Sequence, residues 1–165
     1  MASVGPWESV RGHVKFLRLK QRNIGGLATD GSVRDADEII NYGFSFFAYS
    51  TTAKQGPAAM QPWSCDTVVK CGDVVVRPSD AIVGDQGGVV VVPTKVAEKV
   101  YNIAHGREVI EDIVKEELTK NPGPPAKFYP FMSGKIKVDS PLAQLLASKG
   151  ITPDNSNQFE GTADW

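Results

Sequence analysis

The sequence predicts an α/β fold with a mixed sheet. Stretches with the residue pattern of short strands alternate with stretches of helical periodicity, and this interleaving is typical of a sheet covered by helices. No internal repeat period is visible, so a solenoid or a propeller is not indicated. A chain of 165 residues has the size of one domain, and folding can remove about 68–70% of its unfolded surface from water. We therefore predict one domain over residues 1–150, followed by a polar tail over residues 151–165.

Charge and cysteine content exclude several classes of protein. Eighteen Lys and Arg face nineteen Asp and Glu, giving a net charge of −1, so no broad positive field attracts nucleic acid or anionic lipid. Cys65 and Cys71 form no CxxC pair, which indicates neither a disulfide framework nor a zinc site. The N-terminal residues lack the apolar stretch of a signal peptide, and no apolar run approaches the ~18 residues of a membrane span. A cytoplasmic protein without nucleic-acid or membrane partners is expected.

The first predicted elements lead to a turn that carries many charges. Residues 8–22 combine apolar and basic side chains at a spacing that predicts a helix with its basic residues on the solvated face. The residues that this helix would turn inward are Val14, Phe16 and Leu17. Residues 24–29 predict a buried strand, and the turn at residues 30–32 then leads to Arg34 and Asp35. Both residues are therefore expected at the carboxyl end of a strand.

The rest of the chain predicts strands first and helices afterwards. A short helix over residues 36–42 would have Asp35 as its cap. A strand over residues 44–49 and a long loop over residues 50–62 follow. Four further strands, separated by Gly, Pro and Asp, are predicted over residues 67–70, 73–77, 81–83 and 89–92. Thr94 would then cap a long helix that Gly106 could kink and that ends at residues 121–125, and a last short helix runs from Ser140 to Gly150.

Residues 30–38 place one arginine and four carboxylates within nine positions. A guanidinium offers a planar fork suited to a carboxylate or an enolate, and an adjacent aspartate offers the hard oxygen ligands that magnesium prefers. Arg34 and Asp35 therefore point to a site for a 2-oxo acid. The alternative is structural, with Asp35 capping the helix while Arg34 pairs with Asp37 or Glu38.

Two separated blocks of the sequence resemble one known family. GLATDGSVRDADEI (residues 26–39) resembles the VVDGxVRDxxEI signature of RraA-like proteins. CGDVVVRPSDAIVGDQGGVVVVP (residues 71–93) resembles their downstream strand block, GGVxVRPGDxVxxDxxGVVVVP. The similarity extends over roughly residues 11 to 120, and the order and spacing of the blocks agree with the family.

The resemblance implies a more specific fold for the chain. It implies a three-layer swivelling β/β/α domain, related in shape to phosphohistidine domains, that assembles as a homotrimer or hexamer with sites between subunits. The domain over residues 1–150 is then a single RraA-like domain. Because the chain begins close to the family's substrate loop, the N-terminal segment of typical relatives is expected to be missing.

The family's Arg-Asp motif falls on Arg34 and Asp35. By resemblance, Arg34 holds the carboxylate and the keto oxygen of a pyruvate-like acid, and Asp35 holds Mg²⁺, or another divalent cation such as Mn²⁺, largely through its water shell. Glu38 also matches the motif. In some aldolases of the family a glutamate from the neighbouring subunit completes the site, and Glu111 is the candidate here. A solvated helix carboxylate is the alternative for Glu111.

Two positions depart from the family's pattern. The loop that cradles the substrate carboxylate corresponds to Gly12, His13 and Val14, and His13 replaces an acidic residue or a glycine of the relatives. At the later strand turn, Gly87 replaces the second aspartate of the family's Asp-x-Asp-Gly. Both departures bear on whether the metal and the substrate still bind.

The resemblance implies two possible functions. One is a magnesium-dependent carbon–carbon lyase that cleaves 4-hydroxy-4-methyl-2-oxoglutarate or decarboxylates oxaloacetate, releasing pyruvate. The other is a non-catalytic protein that regulates a ribonuclease by protein contact.

Overall fold

The computed structural model describes residues 2, 4–56, 60–128, 136–137 and 139–151. The chain divides into two compact units, Met1–Thr94 and Lys95–Trp165. The Arg-Asp motif lies in the first unit. The predicted polar tail lies almost wholly outside the described residues, and the single domain over residues 1–150 stays a prediction.

The N-terminal unit begins with short parallel strands and two helices. In chain order the elements are β1 (Ser9–Arg11), α1 (His13–Gln21), β2 (Gly26–Ala28), β3 (Ser32–Val33), α2 (Ala36–Asn41), β4 (Ser45–Phe47) and β5 (Ser50–Thr51). One parallel sheet has the strand order β1-β3-β5, and β2 pairs in parallel with β4. The predicted α/β class is confirmed.

The predicted helix over residues 8–22 was wrong at its start. Ser9–Arg11 is a strand that pairs with β3, with Ser9 opposite Ser32 and Arg11 opposite Val33. Ser9 and Val10 are buried, so sheet pairing and burial outweigh the helical spacing of the charged residues. The helix starts only at His13, and this start leaves Val14 (65%) and Leu17 (38%) exposed while Phe16 is buried.

Phe16 is the centre of the core of this unit. Its ring lies edge-on to Phe44 and Phe46, with centroids 5.4 and 5.9 Å away. Val33 from β3 and Ile39 from α2 belong to the same cluster. Edge-to-face aromatic pairs add to the free energy of burial. The core therefore fixes α1 and α2 on either side of the Arg-Asp motif.

Two antiparallel hairpins complete the N-terminal unit. They are formed by β6 (Val69–Cys71) with β7 (Val74–Val76) and by β8 (Ala81–Asp85) with β9 (Gly88–Val92). All four strands were predicted to within about two residues. Each sheet in the described part of the chain is either wholly parallel or wholly antiparallel, so the predicted mixture of parallel and antiparallel pairing occurs between sheets and not within one.

The C-terminal unit contains two helices, α3 (Ala97–Lys120) and α4 (Pro141–Ser148). Thr94 does not cap α3, since a 3₁₀ turn (Thr94–Val96) comes first and the Thr94 hydroxyl donates to the Ser79 carbonyl. The last helix starts where it was predicted, and Ser140 caps it, because its Oγ accepts the Ala143 N–H at 3.1 Å. None of the helices within the described ranges has the length and apolar character that crossing a membrane requires.

Candidate functional site

Arg34 and Asp35 connect β3 to α2. The Arg34 N–H donates to the Arg11 carbonyl at 3.1 Å, which extends the β1–β3 pairing by one residue. Asp35 has a left-handed backbone conformation, φ 56° and ψ 44°, which aspartate tolerates better than most residues other than glycine. The β-sheet and the turn thus deliver the two side chains to the same loop.

The structure does not support the capping alternative. Asp35 occupies the N-cap position of α2, but its side chain makes no capping hydrogen bond. Among the residues that the structure describes, Arg34 forms no ion pair with Asp37 or Glu38. A left-handed backbone turns the carboxylate away from the helix amides that a usual, extended cap would reach.

The Asp35 carboxylate instead contacts His13, at the start of α1. Its Oδ2 accepts from the His13 backbone N–H at 3.2 Å and lies 2.9 Å from His13 Nδ1. Both side chains are about 40% exposed. The hydrogen bond from the ring, followed by that from the backbone, lowers the pKa of Asp35 below its ordinary value of 3.8. The carboxylate is therefore held ionised by the loop that the sequence predicts as the substrate cradle.

Gly12, the first residue of that loop, lies against the side chains of Arg34 and Asp35. A Cβ at this position would come within 2.8 Å of Arg34 Nη2 and 2.9 Å of Asp35 Oδ2. Such distances are too short for a side chain without movement of its neighbours. The glycine thus permits the guanidinium and the carboxylate to lie against the loop.

A cleft of about 260 Å³ opens at this place. Gly12, His13, Val14, Arg34 and Asp35 all line it, so the structure brings together the predicted site residues of the N-terminal unit. Arg34 Nε is buried and has no hydrogen-bond partner among the described residues. A buried donor without a partner is rare in folded proteins. The chemistry of the cleft therefore favours an acceptor such as a carboxylate.

Some predicted residues are not part of the cleft. Glu38 is exposed on α2, and Gly87 lies in the β8–β9 turn, where its N–H donates to Asp85 Oδ1 at 2.7 Å. Glu111 is an exposed residue of α3 in the C-terminal unit, and its catalytic role stays a prediction. Sequence reasoning missed Arg11 and Lys15, which also line the cleft. Their position on either side of Gly12-His13-Val14 was the available signal.

The donor groups around Asp35 suit a hydrated cation better than an enclosed one. Within the described residues, no group of three or more His, Cys, Asp or Glu side chains lies together as a metal site. Asp35 Oδ2 is engaged by His13, whereas Oδ1 takes part in neither contact. Mg²⁺ often binds through one or two carboxylates and keeps several waters. One carboxylate with a free side fits this mode.

Replacing His13 by alanine is expected to raise the pKa of Asp35 towards 3.8, because the ring hydrogen bond is the largest cause of its lowering. At a pH above the ordinary aspartate pKa, the contact contributes its full stabilisation to the folded chain. This stabilisation is lost as the pH falls through the lowered pKa of Asp35 in the folded state. Carbon-13 NMR titration of the side-chain carboxyl groups measures the change. Glu116, whose pKa Lys120 and Lys149 lower in the other unit, should titrate as before. An unchanged Asp35 titration would contradict the contact.

Comparisons of sequence match the N-terminal part of the chain to one family. The family model described as RraA-like, Aldolase/RraA, matches residues 5–91 and so includes the Arg-Asp motif and both hairpins. An uncharacterized protein of Methanocaldococcus jannaschii is 29% identical over 117 residues, covering 70% of this chain and 56% of that protein. A protein of Halalkalibacterium halodurans, named as a candidate 4-hydroxy-4-methyl-2-oxoglutarate aldolase, is 30% identical over 105 residues. That match covers 62% of this chain and 48% of the relative. The chain spans about half the length of these curated relatives.

Solved structures resemble the fold of this chain. An uncharacterized protein from Pseudomonas syringae pv. tomato superposes with a TM-score of 0.67 at 23% identity, over 74% of this chain and 60% of that one, and it shows the fold alone. RraAS2 of Streptomyces coelicolor, described as an unusual member of the RNase ES inhibitor RraA family, superposes with a TM-score of 0.61 at 27% identity. The superposition covers 68% of this chain and 58% of the RraAS2 chain. With the match over residues 5–91, the chain belongs to the RraA-like family.

Proposed function

We propose that the protein is a magnesium-dependent carbon–carbon lyase that acts on 2-oxo acids. The substrates would be 4-hydroxy-4-methyl-2-oxoglutarate, cleaved as by an aldolase, or oxaloacetate, which loses carbon dioxide, and both reactions release pyruvate. The observation that carries the proposal is the buried, unpartnered Nε of Arg34 in a cleft that it shares with Asp35. The family and the aldolase-named relative support the same reaction class.

Arg34 would bind the carboxylate and the keto oxygen of the substrate. Its guanidinium has donors in one plane, so two oxygens of a 2-oxo acid can be held at once. The cleft also lies at the start of α1, where the helix contributes partial positive charge. When the carbon–carbon bond breaks, negative charge develops on the keto oxygen, and a preorganised cation there stabilises the enolate.

Asp35 would hold the magnesium ion, which when bound supplies a Lewis acid for the developing negative charge. The hydrogen bonds from His13 keep this carboxylate ionised and fix its orientation. We further propose Glu111 of a neighbouring copy as the group that returns a proton to the enolate carbon. This last assignment rests on the family resemblance.

A pyruvate-release assay tests the proposal directly. Purified protein is mixed with each of the two acids, once with Mg²⁺ and once with a chelator. We expect pyruvate from at least one acid with Mg²⁺ and its loss with the chelator. Failure to turn over either acid in the presence of Mg²⁺ would reject the lyase.

One observation favours a second candidate, a non-catalytic regulator that binds a ribonuclease. The His13 ring contacts the carboxylate that would hold the metal, and RraAS2 is described as belonging to an RNase inhibitor family. The same assay separates the two functions. Absence of turnover, together with tight and saturable binding to a purified ribonuclease E-type enzyme, would favour the regulator.

We also propose that the chain forms a homo-oligomer, a trimer or a hexamer. The family resemblance supports this assembly, and the β8–β9 hairpin leaves Val83 and Val90, which pair with each other, each 61% exposed. Exposed apolar strands commonly mark places where another chain packs. Sedimentation velocity over micromolar concentrations should show trimers or larger species, and Val83→Lys should shift them towards monomer. A folded wild-type monomer throughout would contradict the assembly and the role of Glu111 between subunits.

A further inference from the structure

The cleft around Arg34 holds more positive charge than one carboxylate group requires. Three of the residues that line it carry a positive side chain at neutral pH, namely Arg11, Lys15 and Arg34. The acidic side chain that lines it is Asp35, and its Oδ2 is already engaged by His13. The cleft thus carries two positive charges in excess.

Arg11 and Lys15 have no carboxylate partner in the part of the chain that the structure describes, since no ion pair forms with either side chain there. This contrasts with Lys54, paired with Glu8, and with Lys120 and Lys149, which share Glu116. Clustered cations without counter-charges repel one another, so they favour an anionic ligand that lies among them.

The backbone places the two cations on either side of the substrate loop. Arg11 is the last residue of β1, it lies opposite Val33 in the sheet, and its carbonyl accepts the Arg34 N–H. Lys15 is in the first turn of α1, where its N–H donates to the Gly12 carbonyl at 3.0 Å. Both backbones are therefore anchored next to the motif, and both residues line the cleft, so an acid bound at Arg34 lies within reach of two further cationic side chains.

Size also limits the ligand. A cleft of about 260 Å³ lies just below the range of about 300–1,000 Å³ that holds drug-sized molecules. A small acid with two carboxylates fits this volume and this charge. If Arg34 takes the 2-oxo acid end, Arg11 and Lys15 are left for the second carboxylate.

We propose that Arg11 and Lys15 form a distal-carboxylate subsite that selects dicarboxylic over monocarboxylic 2-oxo acids. The subsite rests on the proposed function only in that Arg34 receives the 2-oxo acid end of the same ligand. Neither cation needs to contact the reacting atoms. Their effect is on binding and specificity, and the subsite acts whether or not the bound acid is cleaved.

Binding of two matched probes tests the subsite. 2-Oxoglutarate and 2-oxopentanoate have the same five-carbon chain and differ in the terminal carboxylate. Isothermal titration calorimetry at low ionic strength, with and without Mg²⁺, gives the dissociation constant of each. We expect the wild type to bind 2-oxoglutarate about tenfold more tightly. Lys15→Gln and Arg11→Gln should each weaken 2-oxoglutarate about two- to fivefold, the double variant should abolish the preference, and 2-oxopentanoate should bind as before.

Arg18→Gln is the matched control. It removes one cation from the same helix, and Arg18 is exposed like Lys15 but does not line the cleft, so the preference should persist. Equal affinities of the wild type for the two acids, including no detectable binding of either, would overturn the subsite, as would a preference that survives in the double variant. Pyruvate release is measured separately. A Lys15- and Arg11-dependent preference in a protein without turnover would reject the lyase and retain the subsite.

Discussion

Arg34→Lys is expected to lower kcat by ~10²–10³ while the fold is retained. Lysine keeps one positive charge but loses the planar fork that holds a carboxylate and a keto oxygen together. Because the enolate carries more charge than the ground-state ketone, the loss should appear in kcat as well as in KM. Steady-state kinetics of pyruvate release measures both constants. Melting curves recorded alongside show whether the fold is kept.

Asp35→Asn is the informative comparison for this variant. Asparagine has nearly the same shape and also tolerates the left-handed backbone of this position. It lacks the charge that holds Mg²⁺, so we expect the concentration of Mg²⁺ at half-maximal rate to rise, whereas Arg34→Lys should change that concentration little. Rates like those of the wild type in both variants over a magnesium titration would reject the site.

The sequence predicted the position of the site because its signal is local. The predicted strand over residues 24–29 is β2 and the predicted helix is α2, but β2 is half-buried to exposed, and a further strand, β3, begins at Ser32 within the predicted turn and leads into Arg34 and Asp35. The two hairpins could also be predicted from local sequence, since turn residues such as Gly72 and Gly88, both at positive φ, separate the valine-rich strands. Local turn chemistry and alternation thus accounted for most elements of the N-terminal unit.

What the sequence could not predict depends on contacts between distant residues. Ser9 to Arg11 has helical spacing, but it pairs with a strand about twenty residues later, and no local pattern encodes that register. The contact between His13 and Asp35 joins residues 22 positions apart. The same pairing brings Arg11 into the cleft, whereas a helix over residues 8–22 would have left it on the solvated face.

Gly12→Ala is expected to lower kcat/KM about 10²-fold, although it adds a single methyl group. The backbone at Gly12 is extended, with φ −108° and ψ 170°, so alanine is not strained there. Its Cβ would nevertheless lie 2.8 Å from Arg34 Nη2 and 2.9 Å from Asp35 Oδ2. The guanidinium and the carboxylate must therefore move, and a displacement of about 1 Å at a catalytic group costs on the order of 10²-fold.

Stability should change far less than activity in this variant. Alanine is a poorer N-cap than glycine, which predicts a loss of about 1 kcal/mol and a decrease in Tm of about 2–4 °C. Gly25→Ala is the matched control, because a Cβ at Gly25 meets nothing within 4 Å, and it should leave kcat/KM unchanged. Steady-state kinetics of both variants measures the change in kcat/KM, and near-ultraviolet circular dichroism verifies that each variant is folded. Wild-type kcat/KM in a folded Gly12→Ala protein would show that the close approach of Arg34 and Asp35 to this loop has no part in catalysis.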